Sequence, residues 1–418
     1  MKNISELNLF RAFRSSNYTL YFIGRAVSQF GTWMQRTAVI WVVYSITKSP
    51  FMTGVTIFAE QFPSFLLSIF GGVAADRYDR YKVIKITQIA SMIQSVMLAA
   101  LVFSGHSVVW AILLLSIILG IINAFDVPAR QALVHDVVAD PADLSNALSL
   151  TTATAGFAQL GGAALSGIVI SAFGAAVCFL INAASFGGVL VSLLLMQLPA
   201  NTRKKSEKKV MAEFAEGFTY LRKKSGIGVI ILIVAIVSLL VLPYNTVLPV
   251  FAKVIYKGDA KTFGYINSFV SAGAIAGTIY IASRKPGAHL KGILLFSTVA
   301  MGVGLIFFSQ LNDFYLAMFF AALTGFGAIC QYTVSNIYVQ SHSSPHMRGR
   351  AIGILLMAIF GMLPLGSVMV GFIAQYIGAP VTVLAEGITA LLVALVFAKF
   401  LTRRNESTIF KSLEDPGR

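Results

Sequence analysis

The chain has 418 residues, 57% hydrophobic and only 12% charged, with a net charge of +15. A soluble domain carries roughly 25% charged residues, so this composition excludes an ordinary water-soluble surface. The apolar residues fall into blocks of roughly 20, the length that crosses about 30 Å of hydrocarbon. The basic residues sit in the breaks between blocks, which sets aside a nucleic-acid-binding face and marks orientation signals instead.

Taken in chain order, the polar and basic stretch 1–22 runs straight into a long apolar block. It lacks the short apolar core and small-residue cleavage site of a signal peptide, so the first span is expected to be retained. Spans are predicted at 20–46, 51–75, 84–104, 108–126, 148–172, 176–198, 228–253, 263–283, 290–310, 314–339, 350–377 and 381–401. The expected fold is an all-α membrane protein of twelve transmembrane helices, in two six-helix bundles at 1–198 and 228–401. Between them lies a polar linker, 199–227, and after them a tail, 402–418. In the linker Met211, Phe214, Phe218 and Leu221 recur at three- and four-residue spacing. This predicts a short amphipathic helix on the membrane surface, a tether between bundles with a regulatory or lipid-binding role as the alternative. An even span count puts both termini on one side. That side then holds 26 of the 32 Lys and Arg residues, while the other holds only Lys48, Lys253, Lys257 and Lys261. The bias predicts cytoplasmic termini and a cytoplasmic linker.

Two ionisable residues fall deep in apolar spans. Arg36 and Glu60 lie roughly 16 and 14 Å from the same membrane face at 1.5 Å per residue, so they can face each other. Such residues usually meet a cavity or a partner; a structural ion pair and a part in substrate or proton binding both remain open. Arg25, Gln29, Trp33 and Arg36 share one helical face. Glu386, about five residues inside span twelve by helical rise, is expected to sit near the headgroups as a boundary residue. Span seven holds Pro243 and Pro249 around Tyr244 and Asn245, and each proline frees a carbonyl four residues back. Span four offers Asn123, and span ten offers Gln331, Tyr332, Ser335 and Asn336. Cys178 and Cys330 read as buried packing thiols, and the five histidines lie in or beside polar breaks. No metal site is expected. Gly54 and Gly264, followed by the basic turns at Arg77 and Arg284, hint at two sequential repeats.

The turn after span two reads Gly71-Gly72-Val73-Ala74-Ala75-Asp76-Arg77-Tyr78-Asp79-Arg80-Tyr81-Lys82. Small residues let helices approach, and an acid beside cations at helix ends can cap termini and pair across bundles. This resembles the signature turn of the major facilitator superfamily, Gly-x-Leu-Ala-Asp-Arg-x-Gly-Arg-Arg/Lys. Gly72, Asp76, Arg77, Arg80 and Lys82 match it, while Ala74, Asp79 and Tyr81 depart from it. Arg25-x-x-Ser28-x-x-Gly31, Asp126-Val127-Pro128-Ala129-Arg130-Gln131, Leu144-Ser145-Asn146-Ala147, Cys178-Phe179-Leu180-Ile181-Asn182 and Arg348-Gly349-Arg350 are similar to the branch that includes the enterobactin exporter. Span five, with Gly156, Gly161, Gly162 and Gly167, resembles the glycine-rich element of drug antiporters, with Gly161-Gly162 where Gly-Pro is usual.

The resemblance implies a proton-driven exporter in a bacterial inner membrane, with spans one, four, seven and ten lining the cavity and the matched turn residues acting as a gate. The candidate pathway residues are then Arg25, Gln29, Trp33, Arg36, Glu60, Asn123, Tyr244, Asn245, Gln331 and Asn336. The expected cargo is a hydrophobic or amphipathic small molecule, drug- or siderophore-like, moved by alternating access through a monomer. Beyond the proton gradient no cofactor is expected, and the lack of a phosphate-cradling Gly-Lys-Ser/Thr loop argues against ATP. A lipid or lysolipid flippase on the same fold is the alternative. A channel would need a filter-like re-entrant loop, and a membrane enzyme a cluster of His, Asp or Cys in the spans.

Overall fold

The computed structural model describes residues 8–105, 108–138, 140, 143–196, 225–284, 289–344 and 346–402. The expected surface helix of the linker and the tail beyond 402 lie outside the described residues. A backbone in hydrocarbon must satisfy its own polar groups, so each apolar block closes into a helix. The spans are α1 (Ser16–Thr47), α2 (Pro50–Arg77), α3 (Arg80–Phe103), α4 (Val109–Val137), α5 (Leu144–Phe173) and α6 (Ala175–Leu195), then α7 (Ser225–Leu240) with its extension to Ile255. After these come α8 (Ala260–Ala282), α9 (Leu290–Gln310), α10 (Phe314–His342), α11 (Arg348–Ile377) and α12 (Ala379–Thr402). Polar residues in the breaks start them: Ser15, Ser49, Asp79, Asp259 and Asp313 each accept a backbone N–H from the following first turn. Gly174 between α5 and α6 and Gly378 between α11 and α12 hold φ of 86° and 85°. Matching single-residue turns at corresponding places are what a duplicated six-span unit leaves behind.

Twelve spans were expected. Eleven described helical segments are long and apolar enough to cross a membrane, and α1, at 32 residues, falls outside that set. Its length suffices, but Arg25, Gln29, Gln35 and Arg36 lower its apolarity. Gln35 is buried and held by three hydrogen bonds: Gln35 Nε2 donates to Gln94 Oε1 at 3.0 Å, while Ser95 Oγ and Asn182 Nδ2 donate to Gln35 Oε1 at 2.7 and 2.8 Å. That network ties α1 to α3 and α6. A correction concerns α4, whose helix continues eleven residues past the expected end at 126, through Pro128 to Val137. The ion pair between Arg130 Nε and Asp126 Oδ2, at 2.5 Å and spaced i,i+4, fits this extension.

The first six spans pack among themselves, with α2 on α4, and α1 on α5 and α6; in the last six, α8 and α9 pack on α10, α9 on α12 and α7 on α11. The two sets meet along α2–α11 and α5–α8. Alternation of twelve spans puts the start of α1 and the end of α12 on one face, here the terminal face. Toward the opposite face the two sets are in close contact. Ser49 Oγ donates to Gln375 Oε1 at 2.7 Å and Ser171 Oγ to Asp259 Oδ2 at 3.2 Å. Trp41 stacks on Phe263 with ring centroids 5.8 Å apart. A Cβ at Gly371 would come within 2.6 Å of the Pro50 carbonyl oxygen, one at Gly167 within 2.6 Å of that of Ala260, and one at Gly54 would overlap that of Ser367. The contact reaches mid-depth, where Phe65 meets Gly361 and Ser268 Oγ donates to the Leu160 carbonyl. Nearer the terminal face the seam loosens: a Cβ on Gly156 would come no closer than 4.0 Å to Ile275, and one on Gly72 or Gly353 would meet nothing within 4 Å. The molecule is closed at the face away from its termini.

Candidate functional site

On α1, residues spaced by three and four share one face, which carries the polar stripe to mid-membrane. Arg36 Nε lies 2.6 Å from Glu60 Oε1 on α2, and its guanidinium carbon sits 5.3 Å from the centre of the Trp33 ring, within cation–π range. The pair is asymmetric, since the Arg36 side chain keeps 33% of its surface and Glu60 only 10%. The carboxylate is therefore buried, while the arginine side chain remains partly accessible. Gly120 on α4 allows the backbone of α2 to come close at this level, because a Cβ there would overlap the Glu60 carbonyl. About two turns toward the terminal face, the Gln29 amide, with its oxygen turned to Arg25, accepts from Arg25 Nε and Nη2 at 3.2 Å each.

Below these lies a centre absent from the candidate list. Asp126 on α4 accepts from Thr87 Oγ1 at 2.6 Å and Gln88 Nε2 at 2.9 Å on α3, and pairs with Arg130. Arg25 lies within electrostatic reach of Asp126, Arg130 and Tyr21. The i,i+4 spacing of Asp126 and Arg130 is the signal in the sequence, and a helix ending at 126 separates the two. Pro128 cannot donate to the Ala124 carbonyl, and that freed oxygen is the atom a Cβ on Gly71 would overlap. Within the signature turn, Gly71 rather than Gly72 thus makes the close approach.

Arg80 Nη1 donates to the Ala132 carbonyl at 2.9 Å and to Asp136 Oδ2 at 3.0 Å, tying the turn to the end of α4. In this closed-face form, among the described residues, Arg80 pairs within the first six spans and not across to the last six. Arg77 and Lys82 are exposed, and the Asp76 side chain lies outside the described ones. The departures from the family pattern have local work. Asp79 caps α3 by accepting from Tyr81 N, and the Tyr81 hydroxyl donates to the Leu193 carbonyl of α6 at 3.0 Å.

Span seven is broken. After α7 comes a 3-10 turn, Leu242–Val247, one α-helical turn, Leu248–Val250, and a π turn, Phe251–Ile255. The two prolines remove the donors that would continue the ladder, and the Leu239 carbonyl freed by Pro243 is met by Gly366 of α11. Here Tyr244 turns into the protein core and Asn245 is exposed, so of this adjacent pair only Asn245 is free to line a cavity. On α10, Gln331 and Ser335 are buried, and neither Gln331 Nε2 nor Ser335 Oγ has a partner among the described residues. Asn336 accepts from Gln340 on its own helix; Tyr332 is exposed and Asn123 half-buried. Glu386 departs most from expectation. It is 4% exposed, and neither carboxylate oxygen has a hydrogen-bond partner among the described residues. Packing of α12 on α9, where Gly387 meets Gly302 and Ile306, encloses a residue that the sequence places near the headgroups.

Two groups of spans closed at one face, with a charged pair at mid-depth and a broken seventh span, define a transporter of the major facilitator fold. The chain matches the family described as transmembrane secretion effector over residues 8–415 and belongs to it. It is similar to the staphyloferrin A transporter of Staphylococcus aureus, 25% identical over 92% of this chain and 96% of that one. It is also similar to the multidrug efflux pump Tap of Mycolicibacterium fortuitum, at 23% over 88% and 91%, and to macrolide efflux protein A of Streptococcus pyogenes, at 20% over 91% and 94%. Among solved structures, the nucleoside transporter NupG superposes with a TM-score of 0.73 at 14% identity, covering 93% of this chain and 100% of that one. A bacterial homologue of the lysosomal transporter Spinster, inward-facing and unoccupied, superposes with 0.71 at 15%, covering 92% and 97%. The protein is an integral plasma-membrane transporter of small molecules.

Proposed function

We propose that the protein exports a hydrophobic or amphipathic small molecule, drug- or siderophore-like, by alternating access driven by the proton gradient. The closed seam at one face, with the Arg36–Glu60 pair at mid-depth beside it, carries this reading. A carboxylate whose compensating cation is partly exposed changes its proton affinity when the pair opens, and that change couples a gradient to a change of access. The cargoes in the relatives' names, a siderophore, drugs and macrolides, favour this over a lipid flippase. Inside-out vesicles supplied with a panel of siderophores, macrolides and dyes should accumulate a member of the panel only when a pH gradient is imposed. Accumulation that ignores the gradient overturns the proton-driven reading.

The charge bias of 26 against 4 supports a cytoplasmic terminal face. Single cysteines introduced as Ser206→Cys and Ser412→Cys should resist a membrane-impermeant thiol reagent in intact cells, and Lys257→Cys should react. The reverse pattern would invert the topology.

A further inference from the structure

Glu386 stands apart from the other membrane-embedded acids. Glu60 and Asp126 each lie beside an arginine, so their charge is compensated. Glu386 is more than nine-tenths buried, with both oxygens unpartnered among the described residues. An ionised carboxylate in that setting is strongly disfavoured, whereas a protonated one is a neutral group with a donor.

Its surroundings repeat the point. Seven residues into α12, it lies about 10 Å from the helix start, and α12 packs on α9, α11, α7 and the 3-10 turn of span seven. α7 holds no titratable side chain. The turn supplies Tyr244, which is buried and an electrostatic neighbour of Glu386. On α9 the titratable group is Lys291, whose ammonium sits 4.2 Å from the ring centre of Phe400, fourteen residues further along α12 and about 21 Å away by helical rise. On α11 they are Arg348 and Arg350 in the first turn and the exposed Tyr376 at the far end. Lys399 of α12 is in its last turn. The group facing Glu386 is thus a neutral phenol on the one irregular stretch of span seven. Ser238 of α7 and Thr246 of the 3-10 turn also have buried hydroxyls with no hydrogen-bond partner among the described residues.

We propose that Glu386 is a second proton-binding site, in the last six spans, empty while the outer face is open, filled from the outside as that face closes, and occupied in the closed form. In the filling step a hydronium O–H bond beside the break in span seven breaks, the carboxylic O–H bond forms, and water remains. The proposal rests on the proton-driven reading and adds a site to it.

The test uses the full chain in lipid nanodiscs, with spin labels at Phe173→Cys and Tyr315→Cys, exposed positions at the outer ends of α5 and α10, and with the buried Cys178 and Cys330 replaced by alanine. Raising the pH should lengthen the distance between labels, the ratio of open to closed changing by up to about tenfold per pH unit, the limit for one linked proton. E386Q should stay closed across the titration, and E386L, which removes the polar group, should do the same. Infrared spectra should show a carboxylic-acid band in the parent that E386Q lacks. The proposal is overturned if the parent distance does not titrate, if both variants titrate like the parent, or if the acid band survives in E386Q. Vesicle accumulation that ignores a pH gradient while the label distance still titrates would reject the proton-driven export reading and leave Glu386 standing. The opposite combination would reject Glu386 alone.

Discussion

Arg36→Ala is expected to be the most damaging single substitution in the membrane interior. The substitution leaves Glu60 with 10% of its side-chain surface exposed and no cation beside it. Removing one partner of a buried pair costs about 3–5 kcal/mol, and the partial exposure of Arg36 puts this pair near the lower end. Because whole domains are stable by only about 5–15 kcal/mol, low yield and loss of transport should follow together. The asymmetry of the pair makes a sharper forecast. Glu60→Gln strands only a guanidinium that is 33% exposed, so the protein should fold and still exchange substrate down its gradient, but lose uphill accumulation. The double replacement of Arg36 by Ala and Glu60 by Gln should restore folded protein in size-exclusion profiles without restoring uphill transport. If Glu60→Gln accumulates substrate at the parental rate, the pair is a structural tie and proton coupling does not pass through it.

The second large effect concerns the seam. Gly54→Leu and Gly264→Leu each place a side chain where a backbone already lies: the Ser367 carbonyl in the first case, the Ala163 carbonyl at 2.8 Å in the second. Neither neighbour can swing aside, but the two groups of spans meet along α2–α11 and α5–α8 and can part there. Overpacking costs about 1–3 kcal/mol, which as a bias between two states is roughly 5- to 150-fold. Both variants should therefore fold, hold the face away from the termini open and lose transport, as read by the distance between labels at 173 and 315. Gly273→Leu is the contrast. Its Cβ would overlap the Ala322 carbonyl inside the last six spans, where no rigid-body movement relieves the clash, so it should cost folded protein. A Gly54→Leu protein with that face closed and parental transport would show that the seam does not move.

Hydropathy, charge and spacing determined much of this protein. The blocks that must become helices in lipid, the polar residues that cap them and the turn with Gly72, Asp76, Arg77, Arg80 and Lys82 are all local features, and so were readable from sequence. The depths of Arg36 and Glu60 also follow from sequence, because a helix converts residue number into distance along one axis. Tertiary structure decided the rest. Position along the axis does not say which way a side chain turns or what lies opposite it. Hence Tyr244 and Asn245, adjacent in one turn, separate into core and surface. Asp126 and Arg130 could be recognised as a buried centre only when α4 continued past its expected end and packed on α3. Glu386, placed near the headgroups by counting residues, is enclosed because α9 and the broken seventh span close over it. Burial is set by neighbours distant in the chain, and the cost of an unpaired charge depends on burial rather than on sequence position.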